Sequence, residues 1–400
     1  MNSTKEKLWG KGIKRFVKII SIQIGVFLLF LELGSFIASK NGLLLYNDTP
    51  SFYCSSSCLE DYEEDAKDYE PKFFGYTEKD PWGAWHVPNR TVRHQSSCFD
   101  IKMTFNEIGA RDKSFQEVSA ESLLLLGDSM TEGHGVRYEN TSQFILEQLM
   151  GRYVLNMGCS QNFGPLQELI LYQNFKYLPH SGVIVYILLA NDFIDNDSSL
   201  WSHRPDRYRP YFGSSENPLE PFYFPQAVKT NSRPPFAIKF RSFIKDYFWS
   251  ANALRSVIGF LRGDHIVVEE VELPNLGYYN DHQEQQRNLV LAHEEIVNIS
   301  GDKDVLFVII PSGGDINQYR NRDLPDSYKQ SLWYRRLKDM TATIGRKISF
   351  LDLMEYVPED THRLFFSCDS HWSPHGNRWA AKTIYQHIKE NELFTPKEPK

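Results

Sequence analysis

Four consecutive leucines at positions 123–126 end abruptly in Gly127-Asp128-Ser129-Met130-Thr131-Glu132-Gly133. An apolar run without polar alternation predicts a strand buried on both faces, which requires a sheet covered by helices on either side. The change to Gly-Asp-Ser-Met-Thr predicts a tight turn at the strand's carboxyl end, the edge where open α/β sheets place their chemistry. A serine held there can present its hydroxyl to a substrate while backbone N–H groups face developing negative charge. Ser129 is the candidate nucleophile.

The chain beyond Ser122 keeps to that architecture. Strands are predicted at 123–126, 153–156, 183–189, 305–310 and 348–351, and helices near 141–150, 165–178, 284–299, 325–343 and 376–389. Five strands alternating with helices predict a doubly wound, five-stranded parallel α/β sheet, with the loops after each strand gathered on one edge. The domain is expected over 121–392. Residues 197–283, rich in Tyr, Phe, Trp, Pro and Arg, interrupt it; too long for a structureless loop, they are expected as an inserted cap shaping the substrate pocket. Residues 41–120 read as an extension with an acidic run, a turn-rich aromatic segment around Trp82 and Trp85, and a strand at 101–105.

The amino terminus carries six Lys or Arg residues between Lys5 and Lys18, then an apolar stretch, 19–37, broken only by Ser21, Gln23, Glu32 and Ser35. A helix over 19–39 would span roughly 30 Å, one hydrocarbon core. Basic residues ahead of it predict a cytoplasmic tail at 1–18, a single-pass signal anchor at 19–39 and an extracytoplasmic remainder. A cleaved signal peptide is the competing reading, against which stand the length of the stretch and the lack of a clean small-x-small site. Glu32 costs insertion energy and marks either a helix partner or the outer interface.

A net charge of -7 and a pI near 6.0 argue against a nucleic-acid partner, and the 14% aromatic share fits a carbohydrate or apolar ligand. Five cysteines, at 54, 58, 98, 159 and 368, fit an exported domain with one or two disulfides. Without Cys-x-x-Cys pairs or clustered histidines the sequence offers no zinc site, and no metal or organic cofactor is expected.

Three further loops on the same predicted edge carry Asn156-Met157-Gly158, Ala190-Asn191-Asp192 and Asp369-Ser370-His371-Trp372. With the block around Ser129, in this order, they resemble the SGNH hydrolases, or GDSL esterase/lipase family, over residues 122 to about 390. The segment Asn106-Glu107-Ile108-Gly109-Ala110-Arg111-Asp112 also resembles membrane-attached members that process or acylate cell-surface polysaccharides. The resemblance implies a three-layer, flavodoxin-like fold and these roles: Ser129 attacks an ester carbonyl, His371 takes and returns its proton, and Asp369 orients the imidazole. The oxyanion would be met by the N–H of Ser129, a second-block N–H from Gly158 or Gln161, and the side-chain amide of Asn191.

Two departures stand out. Family members often carry Asp-x-x-His where this chain has Asp369-Ser370-His371, and the position of the usual second-block glycine is held by Gln161. His375 is a rival base and Asp352 a rival acid, Asp128 reads as a brace for the nucleophile turn, and Asn191 and Asp192 could simply cap a loop. Cys159 and Cys368, beside two of the blocks, are placed to form a disulfide. The implied activity is an extracytoplasmic serine esterase or acyl transferase acting on O-acyl, foremost O-acetyl, esters of exported polysaccharide. The alternatives are an inactive binding or scaffold protein of a polysaccharide export complex, and a lipase or thioesterase at the membrane. Oligomeric state is left open.

Overall fold

The computed structural model describes residues 2–40, 81–83, 85–86, 88–95, 99–160, 163–189, 191–201, 209–224, 240, 244, 248–262, 282–320, 326–342, 347–361, 363–366 and 370–395. The chain divides into two compact units, one of Met1–Asp48, Ser96–Cys98 and Arg233–Val267, the other of Thr49–Gln95, Phe99–Ser232 and Val268–Lys400. Numbered in chain order, the helices used below are α1 (Asn2–Lys40), α2 (Ser129–Glu132), α3 (Ser142–Met150), α4 (Pro165–Phe175), α5 (Asn191–Ile194), α6 (Trp249–Arg262), α7 (Gln283–Ile299), α8 (Gly313–Arg320), α9 (Leu332–Asp339) and α10 (Pro374–Glu390). The strands are β1 (Thr91–Gln95), β2 (Asp100–Thr104), β3 (Leu123–Gly127), β4 (Val154–Gly158), β5 (Gly182–Leu188), β6 (Pro210–Tyr211), β7 (Phe222–Tyr223), β8 (Asp304–Ile310) and β9 (Ile348–Asp352).

In the larger unit β4-β3-β5-β8-β9 form the five-stranded sheet, every pair parallel. All four leucines of β3 are fully buried, and their alternation assigns them to opposite faces. Leu124 and Leu126 join Leu155, Val183, Val185, Phe307 and the α4 and α7 residues Leu169 and Ile296 in one core. Leu123 and Leu125 join Val154, Ile184, Leu306, Leu351 and the α10 residues Ala380, Ile384 and Ile388 in the other. The three-layer α/β/α architecture expected from the apolar strands is thus observed.

The predicted strand at 101–105 is β2, which pairs antiparallel with β1. These residues, and Trp82, Trp85 and His86, belong to the same compact unit as the sheet. Trp85 and Ala110 pack into the core containing Leu124 and Leu126.

The smaller unit holds α1, whose residues Lys14–Ala38 are long and apolar enough to cross a membrane. Part of the stretch expected as a cap belongs to this unit: α6 packs along α1. Another part, β6 with β7, is a short antiparallel pair in the larger unit, where Asn196 Nδ2 donates to Pro210 O at 3.0 Å. Much of the expected 197–283 cap lies outside the described residues.

Candidate active site

The turn after β3 is set by close packing. Gly127 has φ 148° and no room for a Cβ beside Thr131, so glycine is required where the strand reverses into α2. Asp128 caps α2: Oδ1 accepts the Met130 N–H at 2.9 Å, the bracing role expected of it. Burial pushes its carboxyl up to about 6, against the opposing pull of that N–H and of His371. Gly133, at φ 80°, ends the turn in the left-handed conformation.

Ser129 therefore begins a single-turn helix at the carboxyl edge of the sheet. His371 arrives from the opposite end of the sequence, ahead of α10. Its backbone is fixed on both sides: His371 O accepts the Phe366 N–H at 3.0 Å, and the Ser373 N–H donates to Leu364 O at 2.8 Å. Asn377 ties this loop to α3, accepting the Ser142 N–H at 2.9 Å and donating to Trp372 O and Ser373 O at 3.1 Å each. The result is a hydrogen bond of 2.7 Å between Ser129 Oγ and His371 Nε2. Asp128 Oδ2 lies 3.4 Å from the same hydroxyl, so His371 is the stronger partner by geometry.

A buried polar network supports the pair from below. The His134 ring stacks on His371 with centroids 4.0 Å apart, and His134 Nδ1 is 3.3 Å from Ser160 Oγ. Ser160 donates its hydroxyl and its N–H to Glu132 Oε2, the latter at 2.9 Å, while Glu132 Oε1 lies 2.8 Å from His86 Nε2. Burial opposes ionisation of Glu132, but His86, Ser160 and His134 outweigh it and hold its carboxyl at about 2. Arg111, fully buried, donates to the carbonyls of Glu132, Gly133 and Val136 and so fixes the exit from the turn. His94 Nε2 stands 3.3 Å from His134 Nε2.

Of the expected site residues, the structure brings Ser129 and His371 into contact. Asn191 opens α5 beyond β5, the strand adjacent to β3, and its half-buried side chain makes no hydrogen bond among the described residues. Gly158 donates its N–H to Asn156 Oδ1 at 2.9 Å. Its role is steric, for a Cβ there would lie 2.7 Å from the Thr131 carbonyl carbon and closer still to Glu132 N. The next N–H groups, of Cys159 and Ser160, go to Gly127 O and Glu132 Oε2. Gln161, Asp369 and Cys368 lie outside the described residues, as do Cys54, Cys58 and Cys98, and with them the expected bridge to buried Cys159.

The rivals fare poorly. His375 is exposed, its backbone N–H spent on the Ser373 cap of α10. Asp352 accepts the hydroxyls of Tyr328 and Tyr334 at 2.7 and 3.1 Å and the Met354 N–H at 3.0 Å, a structural assignment for both its oxygens. Asp192 accepts the Leu188 N–H at 2.8 Å, capping the end of β5. Sequence reasoning missed Glu132, His134, Ser160 and Arg111, although the first two sit three and five residues beyond Ser129. No group of three or more metal-ligating side chains occurs among the described residues.

Residues 280–400 match the family described as the SGNH hydrolase-like domain of acetyltransferase AlgX. No curated protein matches the chain. Solved structures similar to it include a protein assigned to the G-D-S-L lipolytic family from Desulfitobacterium hafniense DCB-2, at 12% identity and TM-score 0.32, covering 66% of this chain and 98% of that one. Another is the acetyl xylan esterase Est2A from the rumen bacterium Butyrivibrio proteoclasticus, at 10% identity and TM-score 0.32, covering 70% of this chain and 66% of that one. At such scores neither carries weight beside the family match and the strand order. Over residues 280–400 the chain is thus similar to the SGNH hydrolase-like domain family.

Proposed function

We propose that the protein is a membrane-anchored serine esterase or O-acyl transferase acting on O-acyl, foremost O-acetyl, esters of a cell-surface or exported polysaccharide. The observation that carries the catalytic part is the 2.7 Å contact between Ser129 Oγ and His371 Nε2. For Nε2 to accept the hydroxyl proton, the other ring proton must sit on Nδ1, where Asp369 would hold it.

In the first half-reaction Ser129 Oγ bonds to the acyl carbon as its proton passes to His371 Nε2. The carbonyl oxygen becomes an oxyanion, met by the Ser129 N–H, by an N–H beyond Ser160 for which Gln161 is the candidate, and by the Asn191 amide. Collapse breaks the bond to the sugar oxygen, which leaves with the proton from His371. In the second half, water or an acceptor hydroxyl gives a proton to His371 and attacks the acyl carbon, and the bond to Ser129 Oγ breaks as Oγ takes that proton back from His371. Hydrolysis and transfer differ only in that acceptor. The AlgX-type match over the carboxyl-terminal part supports a carbohydrate substrate, and the basic residues ahead of α1 support placement of the larger unit outside the cytoplasm.

The test is hydrolysis of p-nitrophenyl acetate by the full chain in detergent, followed by mass analysis with an acetylated and with a bare oligosaccharide. Acetate release from the first assigns an esterase, and an oligosaccharide gaining an acetyl group assigns a transferase. No turnover of any donor would favour the scaffold alternative.

A further inference from the structure

Glu32 is the one acidic side chain within the apolar span of α1, about six residues or 9 Å from its carboxyl end. An ionisable group at that depth is costly unless it finds hydrogen-bonding partners. The structure supplies them from more than two hundred residues away. The two carboxylate oxygens of Glu32 accept the backbone N–H groups of Trp249 and Ser250, the latter at 3.0 Å. These are the first two residues of α6, so Glu32 satisfies N–H groups that no intrahelical carbonyl can reach and places negative charge at the positive end of the helix. One turn along the same face of α1, Phe36 meets the Trp249 ring edge-on at 5.4 Å. The contact is thus polar at Glu32 and apolar at Phe36.

On α6, Leu254, Val257 and Ile258 follow the i, i+3, i+4 spacing of a single stripe, yet they are 60%, 46% and 38% exposed. The span of α1 is exposed too: Phe27, Leu28, Leu29 and Phe30 are each more than half accessible. Two adjoining helices in one unit therefore present apolar surface that the described residues leave uncovered, and the length of the first matches a bilayer core.

We infer that α6 is a second membrane-embedded element, docked by its amino terminus onto Glu32 and seated in the leaflet at the carboxyl end of α1, with Leu254, Val257 and Ile258 against lipid acyl chains. The inference rests on α1 being a retained anchor, and the pairing itself favours retention, since removal of α1 would strip α6 of its cap. The exposed stripe of α6 belongs to a helix packed against the bilayer-length α1, itself exposed and apolar, which is why hydrocarbon is the occupant assigned to it.

The test uses the full chain in liposomes containing an alkyne-tagged phospholipid, with photoreactive benzoylphenylalanine in place of Leu254, Ile258, Leu28 or, as an aqueous control, Tyr356. Lipid adducts at 254 and 258 are expected within about threefold of those at 28 and at least about tenfold above those at 356. Glu32→Leu should lower the adducts at 254 and 258 at least about fivefold while leaving those at 28 unchanged, and Glu32→Gln, which keeps one acceptor oxygen, should lower them less. Adducts at 28 alone overturn the inference and leave the anchor standing. A product of twice the chain mass from 254 and 258, without lipid, assigns the stripe to a second copy and also overturns it. Absence of adducts at 28 as well overturns both the anchor and this inference. Unchanged adducts in Glu32→Leu overturn the docking role of Glu32.

Discussion

Ser129 and His371 are 242 residues apart in sequence and 2.7 Å apart in space, and what holds them there is a set of polar contacts. Glu132 is the centre of that set, ionised although buried. Its carboxyl is lowered from 4.5 to about 2, so it contributes stability that is fully present above pH 4.5 and lost as the pH falls through about 2. Glu132→Gln should cost about 3 kcal/mol at pH 7, a gap to wild type that narrows below pH 4. Urea unfolding of both proteins across pH 3–7 checks this, and a gap independent of pH would contradict it. Asn191→Ala, if the amide meets the oxyanion, should lower kcat about 10²–10³-fold with little change in KM. Steady-state kinetics with p-nitrophenyl acetate separate the two constants. At this scale the sequence singled out Ser129 and His371, which the fold brings within 2.7 Å of each other. It was opaque where partners come from separate segments: nothing local to His86 or Ser160 announces that both converge on Glu132. Nor does any strand pattern predict that the Gly158 N–H meets a side chain, Asn156 Oδ1.

At the scale of elements, β3, β4, β5, β8 and β9 were readable because a strand buried on both faces must be apolar throughout. The interval Leu123–Gly127 is visible for the same reason that it is core. Helix α6 was not readable, since its stripe lies in an aromatic-rich insertion and its partner α1 is remote in sequence. Composition set the 197–283 insertion apart but could not say which surface each part would meet. The loop bearing His371 depends on α10 and α3 through Asn377, whose side chain serves both. Asn377→Ala should therefore destabilise the fold by about 1–3 kcal/mol and leave a buried Ser142 N–H unsatisfied. If His371 is the base, as proposed, the effect of this substitution on kcat should exceed its effect on KM. Thermal unfolding alongside kinetics tests both parts, and a variant with lost stability but wild-type kcat would show that the loop holds His371 unaided.

The whole molecule comprises a unit built on a five-stranded parallel sheet and a unit built on a bilayer-length helix. Full-length protein should remain in the membrane pellet after carbonate extraction and be released by detergent, as a retained anchor requires. Recovery of a shortened chain in the soluble fraction, cleaved near residue 39, would mark α1 as a signal peptide. The central claim is that chemistry passes through an acyl group on one serine. Its most direct measurement is intact and peptide mass analysis after reaction with a fluorophosphonate, comparing wild type, Ser129→Ala and His371→Ala. A single phosphonyl adduct on Ser129 is predicted in wild type, none in Ser129→Ala, and a labelling rate at least about 10³-fold slower in His371→Ala. Equal labelling of wild type and Ser129→Ala, or an adduct on another residue, would contradict it.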